Sequence, residues 1–193
     1  MAGTGGRLKA DPEHFVVHEI PAFLPTGEGN HLWLEVEKVN LSTPQLLRSV
    51  AQRTGVNLRS VGSAGRKDKR AVTRQWLSLE RDHADALPAD GEWLEVESGS
   101  WQILQRNFHD RRLRTGALRG NRFQILISEL QPDALLQARQ LNRELQASEW
   151  MPNPYGQQRF NRPESLVRAR QFLERGFRGR NHKDRFDYSV LQS

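Results

Sequence analysis

An aspartate surrounded by cationic side chains is the feature of this sequence with the clearest chemical potential. Asp68 lies in the run GSAGRKDKRAVTRQWLS, residues 62–78. Nearby cations favour the ionised carboxylate, which can act as a nucleophile or accept a proton. A lone aspartate in a basic loop is more commonly a solvated ion-pair partner, so the residues alone leave both roles open. The flanking cations are Arg66, Lys67, Lys69 and Arg70.

Several other chemistries do not fit the sequence. The chain has no Cys, which excludes disulfides and thiolate catalysis, and its six His form no HExxH pattern for zinc. The loop resembles a phosphate cradle, but Arg66 precedes Lys67 where a Walker motif has Gly, and Asp68 replaces its Ser or Thr. A carboxylate, cations and aromatic side chains remain. That set suits covalent or acid–base work on an RNA nucleotide, with no cofactor and no metal.

The charge distribution predicts a positive face. The formal net charge is +6, and basic residues concentrate in three segments separated by acidic ones. Such segments can combine into one surface for a polyanion, although scattered solvated charge is the plain alternative. No apolar run approaches the ~20 residues of a membrane span, so we expect a cytoplasmic protein without membrane contact. The three basic segments are 59–74, 106–122 and 159–185.

Elements able to position these residues follow from apolar periodicity and turn signals. Alternating runs predict six strands, and periodic apolar residues predict helices over 42–55, 132–148 and 163–176. This mixture indicates an α+β fold with a mixed or antiparallel sheet and flanking helices. A change in character after Trp150 predicts a domain boundary there, giving domains 1–150 and 151–193. The predicted strands cover 14–20, 31–39, 71–80, 92–97, 100–108 and 121–130.

Four motifs in order resemble those of the TruD family of tRNA pseudouridine synthases. They are LKADPEHFVVHEI, GSAGRKDKRAVTRQW, RRLRTGALRGNRFQILI and NPYGQQRF. The resemblance covers nearly the whole chain and implies a pseudouridine synthase-like catalytic core carrying an inserted second domain. It also implies an isomerase that converts uridine in tRNA, in bacteria the one at position 13, to pseudouridine without a cofactor. We expect it to act on tRNA as a monomer.

The resemblance implies roles for individual residues. Asp68 falls on the family's catalytic aspartate, and Lys9 on a lysine close to that carboxylate. Asn121 and Phe123 fall on positions that hold and stack against the target nucleotide. Gln75, in the tail of the aspartate motif, is expected to support substrate binding. The basic segment 106–122 is expected to contact phosphates, with Arg114 and Arg119 as substrate-binding residues.

Each of these residues also has an ordinary interpretation. Lys9 can be a plain surface lysine. Phe123 can be a core residue, since it shares one face of an alternating strand with Ile125 and Ile127. Asn121 can be a turn residue at the entry to that strand.

The length of the chain is the main departure from the family pattern. Family members continue past the segment that matches 184–193, through most of the inserted domain and back into the catalytic sheet. We therefore expect 151–193 to be only the beginning of that domain, and the sheet to have an open edge with exposed apolar surface. A non-catalytic RNA-binding protein, or an inactive truncated fragment of the enzyme, is the alternative function.

Overall fold

The structure, a computed structural model, describes residues 5–148. Nine strands and two helices form in this part of the chain, joined by short loops and three 3₁₀ turns. In chain order they are β1 (Gly5–Leu8), β2 (Phe15–Pro21), β3 (His31–Val39), α1 (Thr43–Thr54), β4 (Gly62–Ser63), β5 (Val72–Glu80), β6 (Leu94–Val96), β7 (Gly99–His109), β8 (Leu118–Ile125), β9 (Ile127–Leu130) and α2 (Ala134–Ala147).

Seven of the strands form one mixed sheet in the order β6-β7-β3-β5-β2-β8, with β4 paired to β5 beside β2. All neighbours are antiparallel except β2 and β5, which run parallel. β1 and β9 form a separate antiparallel pair. The predicted α+β class with a mixed sheet is confirmed.

Helix α1 begins and ends where its sequence signals predict. The Ser42 side chain accepts a hydrogen bond from the Gln45 backbone N–H, and the Gln45 side chain accepts one from the Ser42 backbone N–H, which completes a capping box. Pro44 occupies the first turn, where its missing N–H has no helical partner to lose. Gly55 ends the helix in the left-handed conformation at φ 72°.

The two faces of the sheet carry separate apolar cores because side chains alternate along each strand. On one face, Leu34 and Val36 of β3 belong to the same buried cluster as Leu46 and Val50 of α1. The opposite face holds a smaller cluster of four residues. These are Trp33, Ala64, Trp76 and Leu113.

The predicted strand 121–130 is wrong in its continuity, because it is two strands divided at Leu126. β8 pairs with β2, whereas β9 pairs with β1, a strand that the sequence patterns did not predict. A 3₁₀ turn, Pro12–His14, separates β1 from β2 and interrupts the ladder, and the Leu126 N–H donates instead to the His14 carbonyl at 2.8 Å. Among the described residues β8 forms one end of the large sheet, and its Phe123 and Ile125 are exposed.

The predicted helix over 132–148 forms as α2, and its leucines Leu135 and Leu141 are exposed. The chain divides into two compact units, residues 1–139 and 140–193. The third predicted helix and the predicted domain 151–193 lie outside the described residues, so the boundary near 150 stays a prediction. Neither described helix has the length and apolar character needed to cross a membrane.

Candidate active site

The Asp68 loop, residues 64–71, connects β4 to β5. It leaves the sheet where two strands lie along the same side of β5. β3 pairs along the whole of one side of β5, so β2 and β4 both lie on the other. β2 covers the first part of β5 and β4 covers Leu77 and Ser78, which leaves a gap at Trp76. The Glu19 carboxylate fills the gap by accepting the Trp76 N–H at 3.1 Å. A buried backbone donor is thereby satisfied where the ladder is interrupted.

A buried ion pair anchors the loop at the same place. Lys67 Nζ lies 2.6 Å from Glu19 Oε2, and the two side chains are only 4% and 1% exposed. Removing two charges from water is costly unless each compensates the other, so the pair strongly favours one loop position. Lys67 immediately precedes Asp68, and the ion pair therefore fixes the backbone that presents the aspartate.

A second lysine holds the main chain of Asp68 itself. Lys38 of β3 is fully buried, and its Nζ donates to the Asp68 carbonyl at 2.8 Å. Burial lowers the pKa of the Lys38 amine from 10.5 to about 8; the Asp68 carboxylate opposes this shift and the Lys67 amine adds to it. This contact satisfies a buried polar group and fixes the orientation of the Asp68 peptide unit.

The start of α1 supports the loop from another direction. The Thr43 hydroxyl accepts the Lys67 N–H at 2.9 Å and donates to the Gln75 side-chain carbonyl at 2.8 Å. Gln75 is fully buried, so the structure does not bring it to the exposed surface with the other predicted site residues. In the described structure its contact runs through Thr43 to the loop.

The Asp68 side chain points toward Lys9, as the resemblance implies. Lys9 Nζ lies 3.0 Å from Asp68 Oδ1, and both side chains are about one-third exposed, at 30% and 35%. Lys9 has φ 54°, a left-handed conformation that is uncommon for a residue other than glycine. The Arg70 guanidinium donates to the Ala10 carbonyl at 2.6 Å and joins the two segments a second time. The carboxylate is thus restrained but open to solvent.

An aromatic pair continues from this lysine toward the edge of the sheet. Lys9 Nζ lies 3.7 Å from the centroid of the Phe15 ring, a cation–π distance. The Phe15 and Phe123 rings meet edge to face with centroids 5.9 Å apart. Phe123 is 52% exposed, so in the described part of the chain it is not the core residue of the alternative interpretation.

The strand register explains why these residues share one face. Phe123 lies opposite Val17, Val17 opposite Thr73, and Thr73 opposite Lys38, which forms one row across four strands. Side chains directly opposite each other in a sheet point to the same side. Asn121, exposed on β8, lies opposite Glu19 and therefore belongs to that face.

The predicted phosphate contacts lie near the beginning of β8. Arg114 is exposed in the turn between β7 and β8, and Arg119 is exposed on β8 two residues before Asn121. Within residues 5–148 neither guanidinium has a hydrogen-bond or ion-pair partner. Both can therefore bind an external anion.

Sequence reasoning missed Glu19, Lys38 and Phe15. Glu19 and Lys38 interrupt apolar faces of their strands, and a charged side chain on a buried face is the signal that could have found them. Phe15 was treated only as part of a strand. Packing inside the fold explains the glycine at position 62, because a Cβ there would collide with the Leu113 carbonyl and the Ser78 hydroxyl.

Comparisons with known proteins show the family of this chain. The family model for tRNA pseudouridine synthase D (TruD) matches residues 1–178. The chain belongs to the TruD family. It is 42% identical over 160 residues to a tRNA pseudouridine synthase D of Thermus thermophilus, covering 83% of this chain and 43% of that protein. It is 39% identical over 191 residues to the one from Chromohalobacter salexigens, covering 98% and 54%.

A solved structure also supports the TruD fold. A crystal structure of a putative TruD protein from Methanosarcina mazei superposes with a TM-score of 0.72 at 26% identity, covering 91% of this chain and 40% of that one. The predicted family and the pseudouridine synthase-like fold are confirmed. The chain spans about half the length of the curated relatives it matches.

Proposed function

We propose that this chain takes part in converting uridine to pseudouridine in tRNA, at uridine 13, with Asp68 as the catalytic group. The observation that carries the proposal is the Asp68 carboxylate, which is partly exposed, held by Lys9 at 3.0 Å and connected through it to Phe15 and Phe123. The relatives named tRNA pseudouridine synthase D support the reaction class and the tRNA substrate.

The reaction is an isomerisation, so it needs no cofactor to balance. The C1′–N1 bond of uridine breaks, the uracil turns, and a C1′–C5 bond forms; the C5 proton is lost and N1 gains one. An ionised Asp68 can attack the sugar or the base as a nucleophile, or accept a proton in an elimination and return it. The Lys9 ammonium compensates the charge of this carboxylate and limits its orientations.

Besides a catalytic group, the reaction requires access to the glycosidic bond of the uridine. Exposed aromatic side chains can help to provide it. A base must leave its stack before that bond can break, at a cost of a few kcal/mol. Stacking on an exposed aromatic ring recovers about 1–3 kcal/mol per base. Phe123 is suited to this role, Asn121 can hold a base edge, and Arg114 and Arg119 can hold the phosphates. We propose a cytoplasmic monomer acting on tRNA.

The test compares the wild-type chain with Asp68→Asn, which preserves the shape of the side chain and removes its charge. Each protein is incubated with an unmodified tRNA transcript, pseudouridine is mapped chemically, and tRNA affinity is measured separately. We expect the wild type to form pseudouridine and the variant to form none at similar affinity. If both bind alike and neither modifies tRNA, the chain is a non-catalytic RNA-binding protein.

A further inference from the structure

A cavity of about 430 Å³ lies between the beginning of α1 and the segment that leads into Asp68. Its size falls within the range of about 300–1,000 Å³ typical of small-ligand sites. α1 contributes Arg48 and Leu47, β4 contributes Ser63, and the loop contributes Arg66. It is separate from the Lys9–Phe15–Phe123 group, none of which lines it.

The lining of this cavity is cationic. Arg48 and Arg66 both line it, and no Asp or Glu does. Neither guanidinium has a hydrogen-bond or ion-pair partner within residues 5–148. By contrast, other cations in the same part of the chain, such as Lys67 and Arg70, are held by internal acceptors. A guanidinium presents paired N–H donors that match the oxygens of a phosphate, so two of them in one cavity favour an anionic ligand.

The rest of the lining fits the other parts of a nucleotide. Ser63 and Thr115 supply hydroxyl groups that can donate to phosphate or ribose oxygens. Leu47 and Leu58 supply apolar surface against which a sugar or a base can pack. A free inorganic anion would contact only the polar part of the lining. A nucleotide would contact the polar part with its phosphate and the apolar wall with its sugar or base.

The cavity also lies close to the proposed catalytic carboxylate. Arg66 is two residues from Asp68, so their Cα atoms are separated by no more than about 7.6 Å. The Lys67 N–H bonds to Thr43, which also lines the cavity, so the cavity wall and the Asp68 backbone are fixed together. A ligand that binds here is therefore positioned relative to the carboxylate.

We propose that this cavity binds a nucleotide of the RNA chain close to the target uridine, with its phosphate between Arg48 and Arg66. The inference rests on the proposed function, because it takes the RNA whose uridine meets Asp68 as the ligand. RNA recognition of this kind depends on backbone contacts and unstacked bases, and the cavity offers both within reach of the reacting group.

The test measures affinity for an unmodified tRNA transcript by fluorescence anisotropy over a series of salt concentrations. Arg48→Gln and Arg66→Gln each remove one proposed phosphate contact. Each is expected to reduce the slope of log affinity against log salt concentration by about 0.7–0.9. Over the tenfold range from ~1 M to ~0.1 M salt, this smaller slope makes the affinity at ~0.1 M salt about five- to eightfold lower than that of the wild type. The matched control is Arg53→Gln, an exposed arginine of α1 that does not line the cavity. It removes the same charge and is expected to change affinity less than about twofold.

The outcomes separate this inference from the reaction. If Arg48→Gln and Arg66→Gln change tRNA affinity no more than Arg53→Gln does, while the wild type still forms pseudouridine, the cavity inference is overturned and the proposed reaction stands. A loss in Arg66→Gln without one in Arg48→Gln also overturns it, because the two must share the ligand. Selective losses in both variants support the RNA site even if no pseudouridine forms, in which case only the reaction fails. A wild-type chain that does not bind tRNA overturns both.

Discussion

The two sides of the Asp68 loop differ in whether their polar groups have partners inside the chain. Behind the loop, Glu19, Lys38 and Lys67 are buried and bonded to one another or to the loop backbone. In front of it, Asn121 and Arg119 are exposed, with no side-chain partner among the described residues. The fold thus completes the support for the aspartate and leaves the open side for an external ligand. Changes behind the loop should affect stability and rate, whereas changes in front should affect binding.

Breaking the buried ion pair should have the largest effect. Glu19→Gln leaves the Lys67 charge buried without its carboxylate, and we expect the free energy of unfolding to fall by about 3–5 kcal/mol. Urea denaturation measures this loss. The double variant Glu19→Gln/Lys67→Met should recover much of it, because it removes both charges.

The exposed ion pair between Arg7 and Glu129 provides the comparison. Its side chains are 59% and 66% exposed, so Glu129→Gln should cost less than about 1 kcal/mol. Equal losses in Glu19→Gln and Glu129→Gln would contradict the role assigned to burial.

Lys38→Met should have the next largest effect, which should be a lower rate of pseudouridine formation. The variant retains an apolar stem in the core but leaves the Asp68 carbonyl without its donor, so the loop can shift. A displacement of about 1 Å near reacting atoms can reduce a rate by about 100-fold. We expect the rate of pseudouridine formation to fall by about 10- to 100-fold, with a much smaller loss of tRNA affinity because Arg66 belongs to the same loop. A loss of affinity as large as the loss of rate would contradict the positioning role of Lys38.

The same residue makes a prediction about pH. Because the pKa of Lys38 is about 8 in the folded chain and 10.5 ordinarily, the unfolded chain binds more protons between these values. The contribution of Lys38 to the free energy of unfolding should therefore rise with pH from about 8 to 10.5 and be constant below that range. Denaturation of the wild type and of Lys38→Met across this range gives the contribution as their difference. A difference that falls with rising pH would contradict the lowered pKa.

Phe123→Ala tests the open side. Loss of the stacking ring should weaken tRNA binding by about tenfold, within the ~1–3 kcal/mol that one stacked base contributes. Anisotropy with an unmodified tRNA transcript measures it. Ile125→Ala is the control, since Ile125 is also exposed on β8 at 46% but offers no aromatic face. Equal effects in the two variants would mean that Phe123 contributes only apolar area.

The sequence predicted local elements well and long-range contacts poorly, for a physical reason. The capping residues of α1 and the alternation in β3 are encoded in neighbouring residues, and both elements form as predicted. The division of 118–130 at Leu126 depends on a turn more than a hundred residues earlier, which no local pattern records. The contact of Lys9 with Asp68 was available only from the family resemblance. The roles of Glu19 and Lys38 arise from strand order, which periodicity does not specify.

The smallest expected effects concern the exposed arginines. Within residues 5–148, the turn between β7 and β8 contains one arginine with an ion-pair partner and another without one. Arg114 has no partner among the described residues, whereas Arg111 lies 3.4 Å from the Asp110 carboxylate and is already partly neutralised. Arg114→Gln and Arg119→Gln should each weaken tRNA binding by about five- to eightfold at ~0.1 M salt and lower the salt slope by about 0.7–0.9, whereas Arg111→Gln should have less effect on both. The rate of pseudouridine formation with saturating tRNA should not change in any of the three. Identical salt slopes in the three variants would show that tRNA binding depends only on net charge. That result would contradict the distinction between ion-paired and unpaired arginines.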